Sequence, residues 1–170
     1  MSPVVRGNSL YTIVEGPSWT EAEANSVAIG GHLATINNDQ ENEFLKNKFE
    51  YSDPSPNSTG IERNSTRPGH WIGLTDAANE GIWIWSSGEP VSYINWFDGQ
   101  PDNSSFFSVE GQDYVALTYP SSDWNPEQIA SDNGKWNDLT EIERPLKGIA
   151  EIPLNLSITT SSTPTEGAGV

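Results

Sequence analysis

Every segment with helical periodicity lies in the first 50 of 170 residues, and only short strand-like segments follow. A parallel α/β sheet needs a crossover helix between successive strands, so this order excludes one and points to an α+β domain. Ser9-Leu10-Tyr11-Thr12-Ile13-Val14 is the first strand candidate, closed by Gly16-Pro17. Ser18 stands three residues before Glu21, the spacing of a capping box. Trp19, Ala22, Ser26 and Ile29 then recur at helical intervals until Gly30-Gly31 stops the helix. Residues 32–36 read as a brief strand. A second helix follows, capped by Asn38 and carrying Phe44, Leu45 and Phe49 on its inner face.

Residues 51–69 are rich in Pro, Asn, Ser and Thr without periodicity and read as a long surface loop. Strand candidates then recur at 71–74, 82–85, 112–119, 135–139 and 148–152. The Thr/Ser/Gly-rich stretch 157–170 reads as a linker or disordered tail, which leaves 1–156 as one folded domain.

Charge narrows the partners. The chain carries 24 acids against 8 bases, a formal −16, which repels nucleic acid and anionic membrane surfaces and favours cations. No apolar run approaches the roughly 18 residues of a membrane span, and Met1-Ser2-Pro3 does not open a signal peptide. With no Cys there are no disulfides, thiolate metal sites or thiol nucleophiles. Seven Trp, five Tyr and five Phe supply the large apolar units of a core.

Several motifs in order resemble one family. Trp19-Thr20-Glu21-Ala22-Glu23, Gly30-Gly31-His32-Leu33-Ala34-Thr35-Ile36 and the run from Glu41 to Leu45 match the helical half of a C-type lectin-like domain. Trp71-Ile72-Gly73-Leu74, Glu80-Gly81-Ile82-Trp83-Ile84-Trp85, Asn95-Trp96, Gln100-Pro101-Asp102-Asn103, Trp136-Asn137-Asp138 and Gly148-Ile149-Ala150-Glu151 match its second half. The resemblance covers residues 9–153. It implies two helices, two small antiparallel sheets, paired terminal strands and a long loop region that carries ligand sites. The family's stapling Cys residues are missing, and Tyr114 stands where a strand Cys is often found.

Residues 98–138 hold a dense set of oxygen ligands: Asp98, Gln100, Asp102, Asn103, Glu110, Gln112, Asp113, Asn137 and Asp138. A hard cation such as Ca²⁺ takes about six to eight oxygens, and a solvated acidic loop is the competing explanation. Gln100 and Asp102 alternate around a Pro that fixes the backbone and suits a cis bond. The resemblance assigns Gln100, Asp102, Asn137 and Asp138 to a calcium that also binds sugar. It expects a further acid where Gln112 stands, so either Gln112 or Glu110 completes the set. Asp76, Glu80, Asn103 and Asp113 fall where the family keeps an auxiliary calcium, although Asp76 equally suits a turn cap and Glu80 a solvent-facing acid.

Vicinal hydroxyls that reach an open calcium and its amide and carboxylate ligands give a directional sugar site. For the Gln-Pro-Asp form the resemblance implies a galactose- or fucose-type ligand, and Trp124 is a candidate for stacking on a sugar face or for packing its own loop. No phosphate loop, His-rich zinc motif or dinucleotide fingerprint points to an enzyme. His32 and His70 lie without a nucleophile motif beside them. The rival to a lectin is a module of the same fold that binds a protein or ice, with calcium only structural. A Cys-free acidic domain with a Thr/Ser/Gly tail resembles the glycan-binding modules of large secreted bacterial adhesins, which implies an extracellular or cell-surface setting within a larger multidomain protein. Asn57, Asn64, Asn103 and Asn155 head glycosylation-type sequons, a pattern expected by chance in so Asn/Ser-rich a chain.

Overall fold

The computed structural model describes residues 1–50, 69–105, 111–119, 127, 131–141 and 145–154. In chain order the elements are β1 (Val4–Arg6), β2 (Ser9–Val14), α1 (Trp19–Ala28), β3 (His32–Leu33), α2 (Asp39–Lys48), β4 (Gly69–Thr75), β5 (Ile84–Trp85), β6 (Tyr114–Thr118), β7 (Trp136–Leu139) and β8 (Lys147–Pro153).

Both helices start where side-chain caps place them. The Ser18 hydroxyl accepts the Glu21 N–H, and Asn38 Oδ1 accepts the Glu41 N–H at 2.9 Å, each satisfying a donor the first turn leaves free. Helix α1 buries Trp19, Ala22 and Ser26, whereas Ile29 is its C-cap and stays 47% exposed. Gly30 takes φ +90°, which ends the helix before the chain enters β3. Helix α2 buries Leu45, and its C-cap Phe49 is buried beside it; Phe44 is half-buried with its ring edge-on to Tyr11.

The antiparallel groups β1-β2-β8 and β4-β6-β7 match the expected pair of sheets, but they are joined into one mixed sheet. The junction is a short parallel pairing of His70 with Lys147 and Trp71 with Gly148. Each strand has two edges. Strand β2 fills one edge of β8, so β3 and β4 take the other in succession, at Glu151–Ala150 and at Gly148–Lys147. Strand β1 was not foreseen, and the 82–85 and 32–36 candidates shorten to β5 and β3. The expected loop at 51–68 and the tail at 157–170 lie outside the described residues.

Trp136 organises the second half of the core. It is fully buried, and its ring meets Trp85, Tyr93 and Trp96 edge-on at 5.7, 5.6 and 6.0 Å. The indole N–H donates to Asn42 Oδ1 on α2 at 2.8 Å, so the aromatic group is satisfied inside the core. Tyr114, at the family's Cys position, instead lays its ring 5.1 Å from that of Trp19 and packs β6 on α1.

Gly31 marks the tightest approach between the helical half and the sheet. A Cβ there would lie 2.1 Å from the Glu151 carbonyl oxygen, which is backbone and cannot rotate away. Gly31→Ala is therefore expected to destabilise the domain by at least about 1–3 kcal/mol, the usual cost of overpacking, as read from urea unfolding. An unchanged midpoint would show that the two segments separate freely.

Candidate functional site

The candidate ligands meet where the 95–105 segment runs along the outer edge of β7. Trp136 donates its N–H to the Asn95 carbonyl at 2.9 Å, and Phe97 returns an N–H to the Trp136 carbonyl at 2.8 Å. This pairing extends the sheet by one irregular strand and delivers the next residues beside Asn137 and Asp138. The Gln100–Pro101 peptide is cis.

Asp138 is fully buried, and both its oxygens face that segment. Oδ1 accepts the Asp102 N–H at 3.3 Å and Oδ2 the Asn103 N–H at 2.8 Å. Gln100 Oε1 also accepts the Asp102 N–H, at 3.0 Å. The structure thus brings Gln100, Asp102, Asn103 and Asp138 together, with the Asp102 side chain exposed at the rim. Asn137 is half-buried and adjoins Asp138 in β7. Gln112 is buried and accepts the Ser104 N–H at 2.9 Å, while its own N–H donates to Asn103 Oδ1 at 2.8 Å. Glu110 and Trp124 lie outside the described residues.

A second group sits at the end of β4. Asp76 is buried, and its Oδ2 accepts the Gly81 N–H at 2.8 Å, which realises the turn-cap reading. Its Oδ1 is buried with no hydrogen-bond partner among the described residues. The Asp76 N–H donates to the Asp113 carbonyl at 3.2 Å, so Asp113 is tied in through its backbone, and Glu80 is exposed nearby.

Burial raises the pKa of both buried acids. Asp138 is pushed up to about 6, mainly by desolvation, with the Asp102 charge adding and the backbone N–H bonds opposing. Asp76 is raised by desolvation, with Glu80 and Asp113 contributing like charge. The two histidines are structural. His32 Nδ1 lies 2.6 Å from Glu23 Oε1, and burial in β4 pushes His70 down to about 4, which keeps it neutral.

The family model for the lectin C-type domain matches residues 15–141. The chain belongs to the C-type lectin domain family. It is 31% identical over 120 residues to the galactose-specific lectin nattectin of Thalassophryne nattereri, a match covering 70% of this chain and 66% of nattectin. It is 32% identical over 123 residues to C-type lectin domain family 4 member F of Mus musculus, covering 70% of this chain and 19% of that protein. The chain thus spans less than two thirds of the length of these relatives. The carbohydrate-recognition domain of the mouse scavenger receptor C-type lectin shares the fold with a TM-score of 0.64 and 27% identity, over 91% of this chain and 96% of that one. C-type lectin domains are carbohydrate-binding modules without catalytic activity, in keeping with the two structural histidines here.

The donor set of this C-type lectin domain suits a hard cation. Every candidate offers oxygen, and Gln100, Asn103, Gln112 and Asn137 are amides; among the described residues no three acids or histidines converge, Asp76, Glu80 and Asp113 included. An ionised carboxylate offers about four lone-pair directions, and backbone N–H groups occupy only part of those on Asp138. The unpartnered Asp76 Oδ1 is a buried acceptor with nothing to accept from. Two contributions escaped the sequence reading. The backbone of Asn95, named there only within a motif, carries the pairing that positions the loop, and Gly111, at φ +89°, lets Asn103 Oδ1 come within 2.0 Å of where a Cβ would stand. Only the Gly itself hinted at the second.

Because Asp138 binds its proton more tightly in the folded chain than in the unfolded one, its contribution to stability has a defined sign. It is full below the ordinary carboxylate value and lost as pH rises through about 6. With divalent cations chelated, the Asp138 carboxyl carbon is expected to titrate by NMR with a midpoint near 6. A midpoint at the ordinary carboxylate value would mean that water reaches the group.

Proposed function

We propose that this domain is a calcium-dependent lectin module that holds Ca²⁺ through Gln100, Asp102, Asn137 and Asp138 and binds a terminal galactose- or fucose-type sugar. The observation that carries the reading is the hydrogen-bonded junction between the cis Gln100–Pro101–Asp102 segment and the buried Asp138 carboxylate. Bound there, Ca²⁺ would supply a hard electrostatic anchor for two neighbouring sugar hydroxyls. The chain's own groups set the selectivity. The Gln100 amide donates, the exposed Asp102 carboxylate accepts, and the pair fixes which hydroxyl orientations are satisfied. Gln112 or Glu110 completes the set, and Asp76, Glu80, Asn103 and Asp113 form an auxiliary cation site whose strongest support is the partnerless Asp76 Oδ1. Trp124 serves as an aromatic platform. That nattectin is a galactose-specific lectin agrees with the sugar class.

The surroundings follow from the chemistry. Oxygen-only calcium sites of this kind work at extracellular calcium levels, so the domain (residues 1–156, with 157–170 as linker or tail) acts outside the cell or on its surface, as the glycan-binding part of a larger adhesin. Among the described residues no helix is long and apolar enough to cross a membrane. One open site gives modest affinity, and several copies on a surface give avidity.

Calcium at a hundredfold excess over its Kd is expected to stabilise the native state by about 2.7 kcal/mol, raising the Tm by about 5–10 °C. On a glycan array in calcium, the unmodified domain should bind galactose- or fucose-terminated glycans, and both chelation and Asp138→Ala should abolish the signal. Binding that survives either treatment would place the ligand elsewhere on the fold.

A further inference from the structure

Far from the candidate ligands, the terminal strands meet α2 through a buried group of side chains that the sugar site does not use. Tyr11 on β2 is 1% exposed, and its hydroxyl lies 2.9 Å from Glu41 Oε1 on α2 and 2.9 Å from Glu151 Oε1 on β8. A phenol has one proton and can donate only once. If both carboxyls were ionised, one of these contacts would set two oxygens against each other with no hydrogen between them.

The remaining partners decide which carboxyl carries the second proton. Glu41 Oε1 also accepts from the Arg6 guanidinium on β1 at 2.9 Å, and its Oε2 accepts the Asn37 N–H at 3.0 Å, an arrangement that favours the ionised form. Among the described residues no cation pairs with Glu151: Oε2 accepts the Thr35 N–H at 3.2 Å, and the Ser9 hydroxyl lies within hydrogen-bonding reach of the carboxyl. The other charged groups facing it do not neutralise it. His32, its register partner on β3, is engaged by Glu23 from α1, and Glu89 lines the same cleft of about 260 Å³ as a further acid.

We propose that Glu151 is a pH-sensitive latch, held as a neutral acid that donates from Oε1 to Tyr11, which in turn donates to the ionised, Arg6-paired Glu41. The relay links β8, β2, α2 and β1 in one line. When pH rises and Glu151 releases its proton to solvent, Tyr11 must abandon one carboxylate, and the junction of the terminal strands with α2 loosens. Burial is the main effect raising the Glu151 pKa, the direction this arrangement needs, and the Glu41 charge adds to it. A raised folded-state pKa places the stabilisation at acid pH and removes it as pH rises through the raised value.

The test is a ¹³C NMR titration of the full chain from pH 3.5 to 8, following the side-chain carboxyl carbon of Glu151, assigned through bonds to its own backbone amide. The proposal expects a Glu151 midpoint above the ordinary glutamate value. A Glu151 midpoint at or below that ordinary value overturns it. Glu151→Gln supplies a neutral isostere that keeps a donor for Tyr11 and an acceptor for Thr35. Its Tm, compared with the unmodified protein between pH 5 and 8, should fall less on alkalinisation. An unchanged slope overturns the latch, and if the variant fails to fold, the titration of the unmodified protein decides alone.

Discussion

The second half of this domain depends on how Trp136 is held. A buried indole must place its N–H on an acceptor, and here Asn42 of α2 is that acceptor, so the helix dictates the ring's position. Three further aromatic rings close around it, and the same residue pairs its backbone with Asn95 and Phe97. The loop that carries Gln100 and Asp102 is therefore fixed by the core rather than by its own composition. Without this, a polar segment with Gly99 and Pro101 has little to order it.

That arrangement explains how an acidic protein with no disulfide keeps an organised loop. The sheet runs without interruption from β1 through the β8–β4 junction to β7, so order at the paired termini is continuous with order at the candidate site. Both buried aspartates lie where the sheet ends and the loops begin, Asp76 after β4 and Asp138 within β7, and burial raises the pKa of each. A divalent cation bound there would offset that burial, coupling ligand binding to the stability of the loop region.

Much of this was legible in the residues. The Ser18 and Asn38 caps follow from local chemistry and appear as expected, and the aromatic residues supply the core, with Trp85 and Trp136 fully buried. Backbone N–H bonds link the Gln100–Asn103 segment to Asp138. Non-local geometry was not legible: that β3 and β4 share one edge of β8, fusing two sheets into one, depends on which edge β2 has already taken. Nor could spacing reveal that Ile29 is a cap, that Asp76 leaves one oxygen partnerless, or that Tyr11 sits between two carboxyls from distant segments.

The central claim is that the junction of the 100–103 segment with β7 holds calcium and, through it, a sugar. The most direct measurement is a crystal structure of the domain grown with Ca²⁺ and soaked in galactose. The account predicts one calcium within ligand distance of Gln100, Asp102, Asn137 and Asp138, with two vicinal hydroxyls of the sugar completing its coordination at about 2.3–2.6 Å. Sugar bound away from this junction, or a junction left without metal at saturating calcium, would contradict it.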